Sequence, residues 1–307
     1  MSVKALAKNY LQADDCPVSL CLVNQKNHIT HDFDLTEIEH YHDFMEIVFI
    51  LKGQGVQVAE ENEYFVSAGD VFVLQGNQKH YFKDASKVEI VNVMVNDFNN
   101  PQIIPDSIRQ LDGFNALFIL EPKYRTRHHF KNKLQLTRSE LAKIEIVLNG
   151  MFLELKEKNK GFQVILVNRL QELFVLLSRH YSQIDTTEAR SLVSIGKVLE
   201  YFENNPDSKI YIDEMAKMAN MSKRNFQRIF KNALGISPVN YLIQVRLQKA
   251  RKLLRETDLQ IIDISAITGF TDPNYFIKCF RQSYGTTPHK FKMGFRMSKK
   301  MKKDKTY

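Results

Sequence analysis

The chain has 307 residues, 44% hydrophobic and 25% charged, which is the composition of folded globular domains and leaves room for two of them. No apolar run approaches ~18 residues, which excludes a membrane-spanning helix, and Cys16, Cys21 and Cys279 are too scattered for a disulfide framework or a zinc site. The net charge of +8 is uneven: residues 190–307 hold 23 Lys/Arg against 10 Asp/Glu (+13), and residues 1–189 hold 20 against 25 (−5). A basic C-terminal part tied to a mildly acidic N-terminal part suggests that only the former meets a polyanion. The stretch MSVKALAKNYLQADD has acidic residues where a secretory leader needs an apolar core, so the expected location is the cytoplasm.

Strands are predicted first, at Val18–Val23, Met45–Leu51, Gly55–Ala59, Tyr64–Val66, Val71–Leu74 and Val88–Val95, with turn residues between several of them. Many short strands argue for a sandwich or barrel. From about 138 to 181 the apolar spacing becomes helical. Leu141, Ile144, Leu148, Met151, Phe152 and Leu155 mark one helix, and Ile165, Leu170, Leu173, Phe174 and Leu177 mark the next. This pair is expected either to join a second subunit or to pack on its own strands. The polar residues 182–191 read as a linker, and helices of eight to eighteen residues follow. His128 and His129 sit in a charged stretch expected to be a solvated loop.

An internal repeat dominates the C-terminal part. Residues 212–238 align on 262–288 without a gap, pairing Ile212, Asp213, Ala216, Phe226, Phe230, Gly235 and Pro238 with Ile262, Asp263, Ala266, Phe276, Phe280, Gly285 and Pro288. Those are seven identities in 27 positions, where about two arise by chance. Each copy reads as a short helix, a turn and a second helix. Ser222 caps the second helix of the first copy. Asp272 caps that of the second, with Pro273 at its first position, and Gly235 and Gly285 terminate them. On a helical wheel Arg224, Gln227, Arg228 and Lys231 point outward, opposite Phe226, Ile229, Phe230 and Ala233. In the second copy Asn274, Ile277, Lys278 and Arg281 point outward and Phe276, Cys279 and Phe280 inward. Arg can grip guanine bidentately and Asn or Gln adenine, so such faces suit a major groove. Pro238–Arg255 reads as one rod of roughly 27 Å, able to hold two such helices near one turn of B-DNA apart.

These residues resemble the AraC/XylS family of bacterial regulators over about residues 193–293. The likeness rests on Arg246, Ala250 and Leu253-Leu254 in the connecting helix, Gly269-Phe270, Asn274-Tyr275-Phe276, Phe280-Arg281 and Gly285-Thr286-Thr287-Pro288. The resemblance implies base contacts from Arg224, Gln227 and Arg228 in the first unit, and from Pro273, Asn274, Ile277 and Lys278 in the second. Ser222, Asn225, Lys231 and Arg281 complete the DNA-facing set. Pro273 and Ile277 cannot hydrogen-bond a base edge through their side chains, so the second unit should read sequence less well than the first. Phe291-Lys292 stands where the family usually has an aromatic residue followed by Arg. The N-terminal segments HYHDFMEIVFILKGQGVQV, GDVFVLQGNQKHYF and GFNALFILEPKYR resemble, more loosely, the cupin-like effector domain of sugar-responsive members of L-rhamnose type.

His40-x-His42-x₃-Glu46, with His80 further on, is close to the metal-binding pattern of cupins, and on one strand positions 40, 42 and 46 would share a face. The second half of the pattern is degraded: Gln75 and Asn77 stand where Pro and Gly are expected, and Asp84 stands for Asn. An effector pocket of His40, His42, Glu46, His80 and Tyr81, a metal site and a structural polar cluster all remain open.

The expected fold is α+β. A cupin-like β-barrel (1–137) is followed by a helical dimerisation segment (138–181), a linker (182–191), an all-α domain with two helix-turn-helix units (192–295) and a basic tail (296–307). The expected activity is regulation of transcription rather than catalysis, with no cofactor. The expected partners are double-stranded DNA, a small-molecule effector such as a sugar, RNA polymerase and a second copy of the chain, with no membrane. A metal-dependent cupin enzyme fused to a DNA-binding module, and a barrel that only oligomerises, are the alternatives.

Overall fold

The computed structural model describes residues 3–5, 16–23, 37–84, 88–127 and 133–303, which divide into two compact units, Met1–Gly196 and Lys197–Tyr307. His128 and His129 lie outside the described residues.

Unit 1 is built on two five-stranded sheets. One has the order β1 (Val3–Ala5), β3 (His40–His42), β8 (His80–Asp84), β5 (Gln54–Ala59), β6 (Asn62–Ser67). The other has the order β10 (Leu134–Gln135), β7 (Asp70–Leu74), β4 (Met45–Lys52), β9 (Glu89–Val95), β2 (Val18–Val23). The pairing is antiparallel except between β1 and β3. The expected cupin-like strand domain is present as two facing sheets that do not close: among the described residues no strand of one sheet pairs with a strand of the other. The chain changes sheets at Gly53 and again at Ala68-Gly69, corners that add no ladder between the sheets. Two of the outer strands, β1 and β10, have only three and two residues.

A core of Val48, Ile50, Phe72, Leu74, Ile90 and Met94 from the second sheet and Val66 and Phe82 from the first fills the space between them. The strand β4 is buried on both faces, since Ile47 and Phe49 are as inaccessible as Val48 and Ile50. Double burial gives such a strand its continuous apolar run.

The polar strands β3 and β8, HYH and HYFKD, escape a search for apolar alternation. So does the segment between β9 and β10. It holds α1 (Asp106–Arg109), a π-helical turn (Ala116–Leu120) and α2 (Glu121–Arg127). Phe114 and Phe118 of this segment pack against Phe174, with ring centroids 5.7 and 4.8 Å apart.

The two long helices are α3 (Arg138–Glu157) and α4 (Phe162–Ser182). A capping box opens α3: Thr137 Oγ1 accepts from Glu140 N–H at 3.3 Å, and Glu140 Oε2 accepts from Thr137 N–H at 2.7 Å. The two helices pack together, with Ile144, Leu148 and Met151 buried on α3 and Leu166, Leu170 and Leu173 buried on α4.

The next helix, α5, spans Thr187–Asn204. Six of the ten residues of the expected linker 182–191 are thus helical, Ser182 at the end of α4 and 187–191 at the start of α5. The cause is local: Thr186 Oγ1 accepts from Ala189 N–H at 3.2 Å and starts the helix inside the polar stretch. Unit 2 continues with α6 (Ile212–Met218), α7 (Lys223–Leu234), α8 (Pro238–Glu256), α9 (Ile261–Ile267), α10 (Pro273–Tyr284) and α11 (Pro288–Lys303). The helix α11 carries into the segment expected as a tail. Among the described residues, no helix is long and apolar enough to cross a membrane.

The repeat is real, but its gapless alignment needs one correction. In α6 and its turn Met215, Ala216 and Ala219 are buried, and their counterparts in α9 are Ile264, Ser265 and Thr268, an offset of 49 residues. The turn bonds agree, Met221 N–H to Ala216 O and Phe270 N–H to Ser265 O. From the second helices onward the offset is 50, because Ser222 and Asp272 are the caps and Gly235 and Gly285 the terminators. The second turn therefore contains one extra residue. Ile262, which the gapless alignment pairs with the half-buried Ile212, is 64% exposed.

Candidate nucleic-acid interface

The second helix of the first repeat copy, α7, begins where Ser222 Oγ accepts from Asn225 N–H at 3.3 Å and ends at Gly235, in the left-handed region at φ 78°. Phe226, Ile229, Phe230 and Ala233 are buried, while Arg224, Gln227, Arg228 and Lys231 are exposed together on the opposite side. Phe230 anchors the helix: its ring meets those of Phe226, Tyr241 and Phe202 at 5.6, 5.8 and 6.4 Å. Two polar contacts tune the outer face. Arg228 Nη2 donates to Asn225 Oδ1 at 2.8 Å, which holds the guanidinium over the first turn. Lys223 Nζ donates to Asp213 Oδ2 at 3.1 Å and ties the start of α7 to α6. Four cationic or amide side chains on a rigid, exposed helix face form a surface that can hydrogen-bond base edges and phosphates.

The second helix of the second copy, α10, is capped by Asp272, whose Oδ1 accepts from Asn274 N–H at 2.8 Å. Asn274, Lys278 and Arg281 are exposed, and Phe276, Cys279 and Phe280 are buried. Pro273 is half-buried, and so is Ile277, which packs against the core formed by α8, α9 and α10. Ile277 thus faces outward only in part, because its apolar side chain packs on that core. An open groove of about 480 Å³ runs along this face, lined by Asn274, Ile277, Lys278, Arg281, Gln282 and Thr287. Gln282 and Thr287 are not among the residues named from the sequence. Gln282 follows Arg281 on the same helix, whereas Thr287 reaches the groove only because the chain turns at Gly285 into α11.

In unit 1 the candidate effector residues separate into two groups. The chain turns at Asp43-Phe44, so His40 and His42 belong to one sheet and Glu46 to the other, rather than to one strand. They still converge, because β3 and β4 face each other across the interior. His42 Nε2 lies 2.9 Å and His80 Nε2 3.4 Å from Glu46 Oε2, and the His40 and His80 rings are 4.2 Å apart. All four residues are buried. Burial by itself would push the Glu46 carboxyl up, but hydrogen bonds to His42 and His80 and their electrostatic pull hold it well below the usual carboxylate range.

The ligating atoms of His42, Glu46 and His80 lie within 4.8 Å of one another. Two imidazoles and a carboxylate form a donor set that fits a divalent transition metal. Glu46 Oε1, Ser19 Oγ and both amide atoms of Gln57 are also buried without a hydrogen-bond partner among the described residues. Sequence reasoning missed Gln57 and Ser19, since neither stands in a motif. Tyr81 does not join this group. It follows His80 on β8, so alternation sends its half-buried side chain to the other face of the sheet.

Comparison with known proteins agrees with this layout. The family described as a helix-turn-helix domain matches residues 215–293, and that described as a cupin domain matches residues 34–95. The HTH-type transcriptional activator RhaS of Enterobacter sp. (strain 638) is 27% identical over 260 residues, 83% of this chain and 87% of that protein. RhaS of Klebsiella pneumoniae (strain 342) is 28% identical, with the same coverage of both. The chain carries a helix-turn-helix domain behind a cupin domain. Solved structures similar to part of the chain include a transcriptional regulator with an AraC-type DNA-binding domain from Chromobacterium violaceum, 28% identical (TM-score 0.33, 34% of this chain and 94% of that one). ToxT of Vibrio cholerae covers 90% of this chain and 94% of its own at 13% identity, with a TM-score of 0.34.

Proposed function

We propose that the chain is an effector-responsive transcriptional regulator that binds double-stranded DNA in the cytoplasm and activates genes of carbohydrate use. One observation carries the DNA-binding part. Arg224, Gln227, Arg228 and Lys231 share one exposed face of a helix whose other face is anchored by Phe226 and Phe230. The sign of regulation draws on likeness to relatives named as transcriptional activators. The sugar link draws on the resemblance of the N-terminal segments to sugar-responsive regulators, and contact with RNA polymerase belongs to the same reading. A test is selection from a random duplex pool with the intact chain. An enriched sequence whose binding weakens steeply with salt supports the reading, and a pool that stays random contradicts it.

The interior of the cupin domain is the sensing site in this proposal, on the strength of the buried polar atoms of Glu46, Gln57 and Ser19 that have no partner among the described residues. Such buried atoms call for a ligand or water, and a sugar supplies hydroxyls of both hydrogen-bonding senses. A panel of monosaccharides tested by thermal shift should contain one that raises the melting temperature, by about 2.7 kcal/mol of stabilisation at a hundredfold excess over Kd. A second reading, a metal-dependent cupin enzyme fused to a DNA-binding module, draws on the His42, Glu46 and His80 donors. Stoichiometric metal in the purified chain together with turnover of a sugar would favour it, and metal-free protein would remove it.

A homodimer through α3 and α4 completes the proposal. Ile146 (70% exposed) and Leu153 (52%) lie seven residues apart on one side of α3, and Val164 (64%) lies near the start of α4. Ile146→Glu combined with Leu153→Glu is expected to convert a dimer into a monomer with little change in melting temperature, since both side chains are exposed in the protomer. Light scattering after gel filtration checks this. A native monomer, or an unaltered dimer in the variant, would refute the assignment.

A further inference from the structure

A helical rod alone sets how far apart two readers stand, but not how one is rotated against the other. Unit 2 has a second tie between them, centred on Arg246 in the middle of α8. Arg246 Nε donates to Pro206 O at 2.6 Å and Nη2 to Ser208 O at 2.9 Å, both in the loop between α5 and α6 that leads into the first helix-turn-helix. The same guanidinium lies over the ring of Phe270, 5.8 Å from its centroid, in the turn of the second helix-turn-helix. Gly269, at φ 86°, brings that turn's backbone against the same loop. A Cβ there would stand 2.6 Å from Asp207 Cα, 2.8 Å from Pro206 O and 2.9 Å from Arg246 Nε. Three segments far apart in sequence thus meet at one half-buried side chain.

We propose that Arg246 is a positioning residue that locks the two recognition helices into one rotational register, so that the domain reads DNA as a rigid pair with a fixed spacing. The inference rests on the DNA-binding reading above. Arginine suits the task because its planar fork reaches two carbonyls while its face stacks on an aromatic ring. Lysine offers a point charge and no plane. Arg246 lies on neither recognition face, so its substitution should change how the readers are arranged rather than what each one contacts.

The test uses the intact chain and a duplex that it selects from a random pool, with the protected segments located by hydroxyl-radical footprinting. One and then two base pairs are inserted between the two protected segments. Each insertion rotates the second segment by about 35° and moves it about 3.4 Å. The native chain is expected to lose at least about tenfold in affinity on insertion. Arg246→Met is expected to bind the original duplex several-fold more weakly, and then to lose no more than about twofold on insertion, as a loosely joined pair would. Arg246→Lys should fall between, and takes over the series if circular dichroism shows that the methionine variant does not fold.

The proposal is overturned if the native chain tolerates the insertions, if only one segment is protected, or if the folded variant responds to spacing as the native chain does. A pool that yields no enriched duplex instead sinks the DNA-binding reading, and this inference with it.

Discussion

Gly113→Ala is expected to destabilise unit 1 by about 3 kcal/mol or more, because the new methyl group would have nowhere to go. A Cβ at position 113 would stand 1.9 Å from the carbonyl oxygen of Ser178 and 2.8 Å from its carbonyl carbon. Both atoms are backbone within α4, so relief requires moving the helix. That helix is held against the 113–120 segment by Phe114, Phe118 and Phe174, which are fully buried. A unit of this size should lose roughly 6–12 °C in melting temperature for such a change. A calorimetric scan of the intact chain reads it, and an unaltered first transition would show that the approach of the two segments is not as described.

Phe230→Ala should have the largest effect in unit 2, about 3–5 kcal/mol. Its ring is fully buried and joins α7 to α8 through Tyr241 and to α5 through Phe202. Since a whole domain is stable by only about 5–15 kcal/mol, the variant should lose most of its DNA affinity at 37 °C together with helical circular dichroism. Changes on the exposed face of the same helix should leave the dichroism intact. A Phe230→Ala protein with native dichroism and native melting would contradict the inward assignment of this face.

The all-α part was the more legible half of the chain. Ser222, Asp272, Pro273, Gly235 and Gly285 are local signals whose physics needs no tertiary context, so they mark helix ends reliably. The exposed polar face of α7 follows from the same short-range periodicity. The repeat misled at one point. Ile212, Asp213 and Ala216 match Ile262, Asp263 and Ala266 by letter, but burial pairs Met215 and Ala216 with Ile264 and Ser265. A one-residue insertion in the second turn is invisible to an alignment that allows no gap.

The strand half was harder, because its information is non-local. His42 and Glu46 come together from opposite sheets rather than along one strand, and no spacing rule foresees a turn at Asp43-Phe44. Gln57 and Ser19 are interior because of sheet register, which the sequence alone does not display. Tyr81 adjoins His80 in the sequence, but alternation along β8 sends the two side chains to opposite faces. The Arg246 junction is of the same kind. The residue belongs to the family resemblance, but its partners Pro206, Ser208 and Phe270 are set by folding.

The central claim is that the exposed face of α7 reads DNA sequence. Its most direct test is the ratio of affinities for a selected duplex and for a scrambled one, measured at one salt concentration for the native chain and for Arg228→Ala. The expected result is a native ratio of about 10³ or more. Arg228→Ala should lose about 1–3 kcal/mol on the selected duplex and much less on the scrambled one. Equal native affinity for the two duplexes, or an Arg228→Ala protein with an undiminished ratio, would contradict it.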